Sequence, residues 1–199
     1  LNANGATNVL TINGPVSIQA TGVLNLVKSG TSATSGTVVL AGSNNFAADS
    51  IFALGGGNNL GGGTLRLANS NALGTNAITI NGNAGGGNAL GEVAIELAGG
   101  ITIGSNVTYN IAGHTNTATP AGDNLRNYSG NNTFNGTIRI TTTGGSYQIN
   151  SADSGGLLTL GGSIVNTLNS TRNLNIIGDG STLISGSLSE TGGGNSKIT

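Results

Sequence analysis

Apolar residues recur along this chain in pairs at alternate positions, and glycines or small polar residues separate one pair from the next. Alternate side chains of a β-strand point to the same face of a sheet, so each pair predicts a short strand with one apolar face. The pairs are Leu10/Ile12, Val16/Ile18, Leu24/Leu26, Val38/Leu40, Leu65/Leu67, Ile78/Ile80, Ile95/Leu97, Ile101/Ile103, Tyr109/Ile111, Ile138/Ile140, Leu158/Leu160 and Leu174/Ile176.

The connections between these pairs are turns such as Asn13-Gly14 and Thr21-Gly22. Asn-Gly between two alternating segments is typical of a β-hairpin, and it equally fits the corner between two faces of a solenoid. The predicted strands are only about three residues long, so they need stacked neighbours for stability, and we favour the solenoid. No stretch has the i, i+3, i+4, i+7 spacing of an amphipathic helix. We therefore expect an all-β protein with essentially no α-helix.

The core of this solenoid is predicted from eight of the pairs. Coils of about 22 residues would stack these side chains in ladders, with loops of unequal length thrown outward. The side chains expected to point inward are Leu10, Ile12, Val38, Leu40, Leu65, Leu67, Ile95, Leu97, Ile101, Ile103, Ile138, Ile140, Leu158, Leu160, Leu174 and Ile176.

Two segments with the same order of residues carry a family resemblance. Residues 36–46 read Gly-Thr-Val-Val-Leu-Ala-Gly-Ser-Asn-Asn-Phe, and residues 63–74 read Gly-Thr-Leu-Arg-Leu-Ala-Asn-Ser-Asn-Ala-Leu-Gly. This stretch resembles the passenger-associated repeat of bacterial autotransporters and related giant surface proteins. Residues 36–74, which include both segments, make up about a fifth of the chain. The resemblance implies a right-handed parallel β-helix on the cell exterior, and it carries no catalytic residues.

Residues 1–199 are thus predicted to form a single β-solenoid segment with several outward loops. The longest of these is predicted at residues 113–132, which hold His114, Pro120, Asp123, Arg126 and Tyr128 and little that could pack. Long loops on a solenoid are where recognition usually lies, although insertions are also tolerated there without any role.

Composition narrows the classes of function. Only 7% of the residues are charged and 3% are aromatic, and the net charge is -1. Nucleic-acid binding is not expected, because it needs a basic surface with stacking partners. No apolar run is long enough for this segment to insert into a membrane. Cysteine is absent, so neither disulfides nor a thiolate metal site is expected.

Catalytic groups are sparse. His114 with Asp123 and Ser129 would supply the types of residue found in a nucleophilic site, but nothing in the sequence brings them together. Glu92 and Glu96 are predicted to face outward on one strand, about 13 Å apart, which exceeds the carboxylate separations of glycosidases. The other acids, Asp49, Asp153, Asp179 and Glu190, show no cluster. We predict no catalytic residues and no enzymatic activity.

Metal, cofactor and modification motifs are equally weak. Gly178-Asp179-Gly180 is a single aspartate turn that does not repeat as a calcium-binding roll would. No phosphate-binding loop accompanies Lys28 or Lys197. Asn106, Asn127, Asn131, Asn135 and Asn169 begin Asn-x-Ser/Thr sequons, but on the order of five to seven arise by chance in such a composition. We predict no metal-binding or cofactor-binding residues.

Three functions remain open from the sequence. The first is a structural segment of a bacterial extracellular or cell-surface fibre. The second is an adhesin segment that binds a glycan, a protein or a host surface through its loops, and the third is a polysaccharide-active β-helix enzyme. Lys197-Ile198-Thr199 placed before Leu1-Asn2-Ala3 continues the alternation. This predicts partners end to end, either copies of the chain or neighbouring repeats, unless the chain is an arbitrary part of a longer passenger.

Overall fold

The computed structural model describes residues 8–20, 22–26, 36–54, 64–82, 94–113, 123–141, 147–193 and 197–198. These residues contain strands and turns but no helix. The strands are β1 (Val9–Ile12), β2 (Ser17–Ile18), β3 (Val23–Leu26), β4 (Thr37–Leu40), β5 (Asn45–Phe46), β6 (Ser50–Leu54), β7 (Thr64–Leu67), β8 (Ile78–Gly82), β9 (Ala94–Ala98), β10 (Thr102–Ile103), β11 (Val107–Ile111), β12 (Leu125–Ser129), β13 (Asn132–Phe134), β14 (Thr137–Ile140), β15 (Tyr147–Ser151), β16 (Leu157–Leu160), β17 (Ile164–Asn166), β18 (Thr171–Arg172), β19 (Leu174–Ile177), β20 (Ser181–Ile184), β21 (Leu188–Glu190) and β22 (Lys197–Ile198).

These strands stack into a parallel β-solenoid with three faces. The first sheet has the order β1-β4-β7-β9-β12-β15-β19, the second β10-β13-β16-β20, and the third β21-β17-β14-β11-β8-β6-β3. Strand β2 pairs with β5, and each of them lies in sequence between a first-sheet strand and a third-sheet strand. Strand β18 pairs with β22. Every pairing between the described strands is parallel, which confirms the predicted all-β solenoid.

A turn of the solenoid is longer than the sequence predicted. Hydrogen bonds between equivalent positions of successive turns span 30 residues from Arg66 to Glu96 and 24 residues from Asn124 to Gln148. The prediction of about 22 residues was wrong, because one turn contains three strands together with the connections between them. The turn that begins at β9, for example, also contains β10 and β11 before β12 returns to the first sheet.

The core fills the space between the three sheets. Twelve of the sixteen side chains predicted to point inward are buried, while Leu10, Ile12 and Leu174 are half-buried and pack against them. Ile176 is a correction, since it shares its register with buried Ile149 but is 39% exposed. Among the described strands, β19 is the last of its sheet and pairs with β15 alone, so Ile176 has a strand on one side only.

Aromatic residues supply much of the core that the apolar pairs did not predict. The phenylalanines Phe46, Phe52 and Phe134 are fully buried, as is Tyr147. The rings of Phe46 and Phe52 meet edge to face, with centroids 4.9 Å apart. Large buried rings add much apolar area to the core and help to fill it without voids.

Buried asparagines satisfy the backbone where the strands end. The side-chain oxygen of Asn44 accepts the backbone N–H of Val16 at 2.8 Å, and its amide donates to the carbonyl of Ala72 at 2.7 Å. Asn44 therefore links three successive turns at one corner. An unpaired backbone group in the interior costs about 1–3 kcal/mol, so such links stabilise corners that no sheet ladder covers.

Part of the segment predicted as a loop at residues 113–132 proves to be sheet. Residues 125–129 form β12, and Asn132 begins β13. His114 and Pro120 lie outside the described residues. The sequence prediction failed because the inward position after Leu125 is Asn127 rather than an apolar residue, and Asn127 is fully buried. The segment therefore lacks the pair of alternating apolar residues from which the other strands were predicted.

Candidate functional site

The outward face of the first sheet carries a row of charged residues, one from each of three adjacent strands. Arg66 on β7 is in register with Glu96 on β9, and Glu96 is in register with Arg126 on β12. The inward neighbours on these strands are Leu65, Ile95 and Leu125, all buried, so alternation sends the charged side chains outward. We call Arg66, Glu96 and Arg126 the charged ladder.

Glu96 is held between the two arginines. The Nε and Nη2 atoms of Arg66 both lie 2.7 Å from Glu96 Oε2, and Arg126 Nη1 lies 3.4 Å from Glu96 Oε1. Glu96 is consequently only 5% exposed, although it faces outward. Charge-assisted bonds to one carboxylate fix the arginine nearest it most tightly, so Arg66 is the anchored cation and Arg126 the more loosely held one.

An acid and two amides extend this surface along the first sheet. Arg126 Nε lies 3.8 Å from Asp123 Oδ2. Gln148 Nε2 donates to Asp123 Oδ1 at 2.7 Å, and Asn150 Nδ2 donates to Asp123 Oδ2 at 2.9 Å. Two amides on the next strand thus hold the Asp123 carboxylate beside the charged ladder.

Tyr128 projects onto the charged ladder from a β-bulge. The pairing of β12 with β9 shifts register between Asn127 and Ser129, so Tyr128 is the extra residue with no partner across the ladder. The guanidinium carbon of Arg66 lies 3.5 Å from the centroid of the Tyr128 ring. Tyr128 is nevertheless 44% exposed. We call Tyr128, Arg66, Glu96, Arg126 and Asp123 the Tyr128 patch.

A buried polar network secures the bulge from below. The Asn127 amide donates to the carbonyl of Gly130 at 3.0 Å, and the Asn132 amide donates to the carbonyl of Ser129 at 2.8 Å. Asp153, one turn further on, accepts the backbone N–H of Gly130 at 2.6 Å. Gly130 adopts a φ of 82°, which favours glycine. The backbone around Tyr128 is therefore fixed by side chains from two turns.

The nucleophilic arrangement considered from the sequence is not assembled among the described residues. Asp123 precedes β12 and Ser129 ends it, so the length of this five-residue strand, about 13 Å, separates them. The Asp123 carboxylate is bonded to amides rather than to a base. His114 and Glu92 lie outside the described residues.

The remaining acids are dispersed. Asp153 caps the bulge and also accepts the backbone N–H of Gly155, while Asp179 is exposed in a turn. Within the described ranges there is no group of three or more His, Cys, Asp or Glu that could hold a metal ion. Asp49 takes a left-handed φ of 61° in the turn before β6.

The sequon asparagines of the described segments include residues with structural roles. Asn127 is fully buried. The Asn106 amide donates to the carbonyl of Asn76 at 2.6 Å, and the Asn131 side-chain oxygen accepts the backbone N–H of Leu157 at 2.9 Å. Asn106 and Asn131 thus bridge successive turns, as Asn44 does.

The buried tyrosine Tyr109 has an unusual ionisation. Its hydroxyl donates to the carbonyl of Asn124 at 2.8 Å, inside the core. Burial raises the pKa of the Tyr109 phenol well above its usual value. The group is a core hydrogen-bond donor at neutral pH and stays protonated in the folded state.

Sequence reasoning missed the Tyr128 patch as a unit. Arg126, Asp123 and Tyr128 were named only as loop residues, and Arg66 only within a repeat. The signal that joins them is the register, because residues 30 positions apart are neighbours once the turn length is known. The number of residues per turn could not be inferred from the sequence, because the spacing between the apolar pairs is unequal.

Comparison of the chain with protein-family models, with curated proteins and with solved structures finds no match. Among the described residues, no helix is long and apolar enough to cross a membrane.

Proposed function

We propose that this chain is a structural segment of a bacterial extracellular or cell-surface β-solenoid fibre, in which turns continue end to end into copies of the chain or neighbouring repeats. The proposal includes no catalytic step. The observation that carries it is the exposure of inward-facing apolar positions on the turn formed by β19, β20 and β21.

The positions in register with them on the preceding turn are fully buried. Leu188 on β21 is in register with Ile164, which is fully buried, yet Leu188 is 55% exposed. Ile176 on β19 is likewise exposed, although it is in register with Ile149, which is fully buried. An added turn in the same register would remove both side chains from water, and apolar burial is the main favourable term in such stacking.

The β1 edge of the solenoid has the complementary form. Leu10 and Ile12 alternate on β1 and are half-buried, and among the described strands β1 pairs with β4 alone. All the strands run in the same direction, so a β1 edge placed on a β19 edge would repeat the pairing that joins Leu10 to Val38. Such a contact uses two different surfaces and does not close on itself, so it builds a filament.

The proposed place on a bacterial exterior is supported by the repeat resemblance of residues 36–74 and by the composition. The chain has no cysteine and few charged residues, which suits a stacked solenoid exposed to varied conditions. Asparagine side chains that bond to backbone groups supply the specific contacts between turns.

Electron microscopy and solution scattering over a range of concentrations test the end-to-end contact. The wild-type chain should form rods that lengthen with concentration, and Ile176→Asp together with Leu188→Asp should abolish the lengthening. Leu183→Asp is the matched control, because Leu183 is exposed on the same turn but occupies an outward position beside Thr159.

Two results would contradict the structural proposal. One is a monomer of constant length at all concentrations whose native source contains no fibre built from β-solenoid turns. The other is equal loss of rods in the Leu183→Asp control, which would place the contact elsewhere.

Adhesion is the second candidate, and one observation favours it. Tyr128 is exposed on the outward face, among polar side chains that the fold holds in place. The polysaccharide-active enzyme remains the third alternative, and a screen for turnover on polysaccharides addresses it directly.

A further inference from the structure

We infer that the Tyr128 patch is a binding site for a glycan, with a sugar ring seated on the free face of Tyr128. This inference goes beyond the structural role proposed above and is independent of it. It also places recognition on a sheet face rather than on the loops that the sequence favoured.

The aromatic ring offers one face to a ligand. The guanidinium of Arg66 covers the other face at 3.5 Å from the ring centroid, and the side chain is still 44% exposed. A ring backed by a cation in this way is held flat and cannot swing freely. The apolar C–H face of a sugar ring buries well against an open aromatic face, while its hydroxyls stay available at the edge.

Hydrogen-bonding groups for those hydroxyls lie two positions back along the same strand. The Arg126 side chain is 39% exposed, and its contacts to Glu96 and Asp123 are long, at 3.4 and 3.8 Å. An arginine has five N–H donors, so Arg126 can donate to a ligand without losing these contacts. Asp123 accepts one amide bond at each oxygen, and a carboxylate has about four acceptor sites. Sugar hydroxyls both donate and accept, and they match this mixed set.

The site is built before any ligand arrives. The bulge that sets Tyr128 outward is fixed by Asn127 and Asn132 below it and by Asp153 on the next turn. A β-bulge next to a binding site changes the direction in which a side chain points, and it interrupts the regular hydrogen bonding between the strands. A side chain that is already immobilised loses little entropy on binding, which favours affinity from a small contact area.

The surroundings favour a glycan over a protein partner. The other exposed large apolar side chains, Val9, Ile176, Ile177, Leu183 and Leu188, belong to the first or last described turns and not to the strands that carry the Tyr128 patch. A stable protein interface needs roughly 800 Å² on each partner with an apolar centre. The Tyr128 patch instead combines one ring with two cations and two anions, so its formal charges balance and it has no bias toward a polyanion.

A printed array of neutral and uronic-acid oligosaccharides, probed with the wild-type chain, tests the inference. The best-binding oligosaccharide is then titrated by calorimetry into the wild type, Tyr128→Ala, Tyr128→Phe and the control Leu183→Ala. We expect Tyr128→Ala to weaken binding on the order of tenfold, because it removes the stacking surface. Tyr128→Phe should retain most of the affinity, and Leu183→Ala should bind as the wild type does.

Thermal unfolding of each variant separates lost binding from lost structure. Tyr128→Ala should unfold within a few degrees of the wild type, since an exposed cation–π contact contributes little to stability. The inference is overturned if no oligosaccharide binds, or if Tyr128→Ala binds as well as the wild type. Self-association that Tyr128→Ala abolishes, in the absence of any sugar binding, would also overturn it in favour of a second copy of the chain.

Discussion

The side-chain oxygen of Asn132 accepts the backbone N–H of Ile101, one turn earlier, at 2.8 Å. The same asparagine donates to the carbonyl of Ser129 on its own turn. One buried side chain therefore satisfies backbone groups of two turns at a corner where the sheet ladder is interrupted.

Asn132→Ala should lower the free energy of unfolding by about 1–3 kcal/mol, because the Ile101 N–H loses its partner inside the protein. Urea unfolding followed by circular dichroism measures the change. The matched control is Asn45→Ala, since Asn45 is exposed on the outward side of β5. Equal stability of both variants would show that corner asparagines do not hold the turns together.

Leu67→Ala and Leu158→Ala should each cost about 2–5 kcal/mol, because both side chains are fully buried and the smaller residue leaves a cavity. Leu183→Ala removes the same atoms from an outward position and should cost much less. Unchanged stability in both core variants would mean that the inward assignment is wrong. Chemical denaturation of the three proteins in parallel gives the comparison.

Gly162 stacks directly on the turn before it. A Cβ at this position would overlap the backbone carbonyl oxygen of Gly136, so Gly162→Ala must push two turns apart. We expect severe destabilisation, seen as a large fall in thermal midpoint or as loss of soluble protein. Gly155→Ala is the control, because a Cβ there meets nothing closer than 4.0 Å. A thermal midpoint of Gly162→Ala equal to that of the wild type would contradict the close stacking of these two turns.

The raised pKa of Tyr109 predicts that the folded protein loses stability at alkaline pH. The unfolded tyrosine ionises near pH 10, whereas burial raises the pKa of the folded residue. The stabilising contribution is complete below about pH 10 and falls above it by roughly 1.4 kcal/mol per pH unit, until the folded state also ionises.

Tyr109→Phe isolates this effect. At neutral pH it should cost about 1 kcal/mol through loss of the hydrogen bond to the Asn124 carbonyl. Above pH 10 the difference between the wild type and the variant should shrink and then reverse. Urea midpoints of both proteins between pH 8 and pH 11 show this directly, and parallel curves would refute it.

The sequence predicted the fold through pairs such as Val38/Leu40 and Leu65/Leu67, because stacked strands keep one face apolar. It could not reveal strands whose inward residues are polar. Asn127 and Asn132 are buried because backbone groups at the bulge and the corner need partners, and that need arises only after the turns are stacked. Ile176 is the opposite case: alternation predicted that it would be buried, but it is exposed. Burial depends on a neighbouring strand as well as on alternation.

The Tyr128 patch was hidden for a related reason. Arg66, Glu96 and Arg126 are 30 residues apart in sequence and become neighbours only through the register of β7, β9 and β12. The bulge at Tyr128 depends on side chains from the next turn, including Asp153. Long-range register of this kind cannot be read from local alternation when the loops differ in length.

The long turn has a mechanical consequence. Turns are stacked about 4.8 Å apart, yet equivalent positions of successive turns are 24 to 31 residues apart in sequence. A force that peels off one turn at an edge would break its ladder bonds one after another and release about 80–110 Å of chain. The remaining turns would keep their own cores, since each contacts only its neighbours. Under load the molecule is therefore expected to lengthen in repeated steps, absorbing work at each one rather than failing at once.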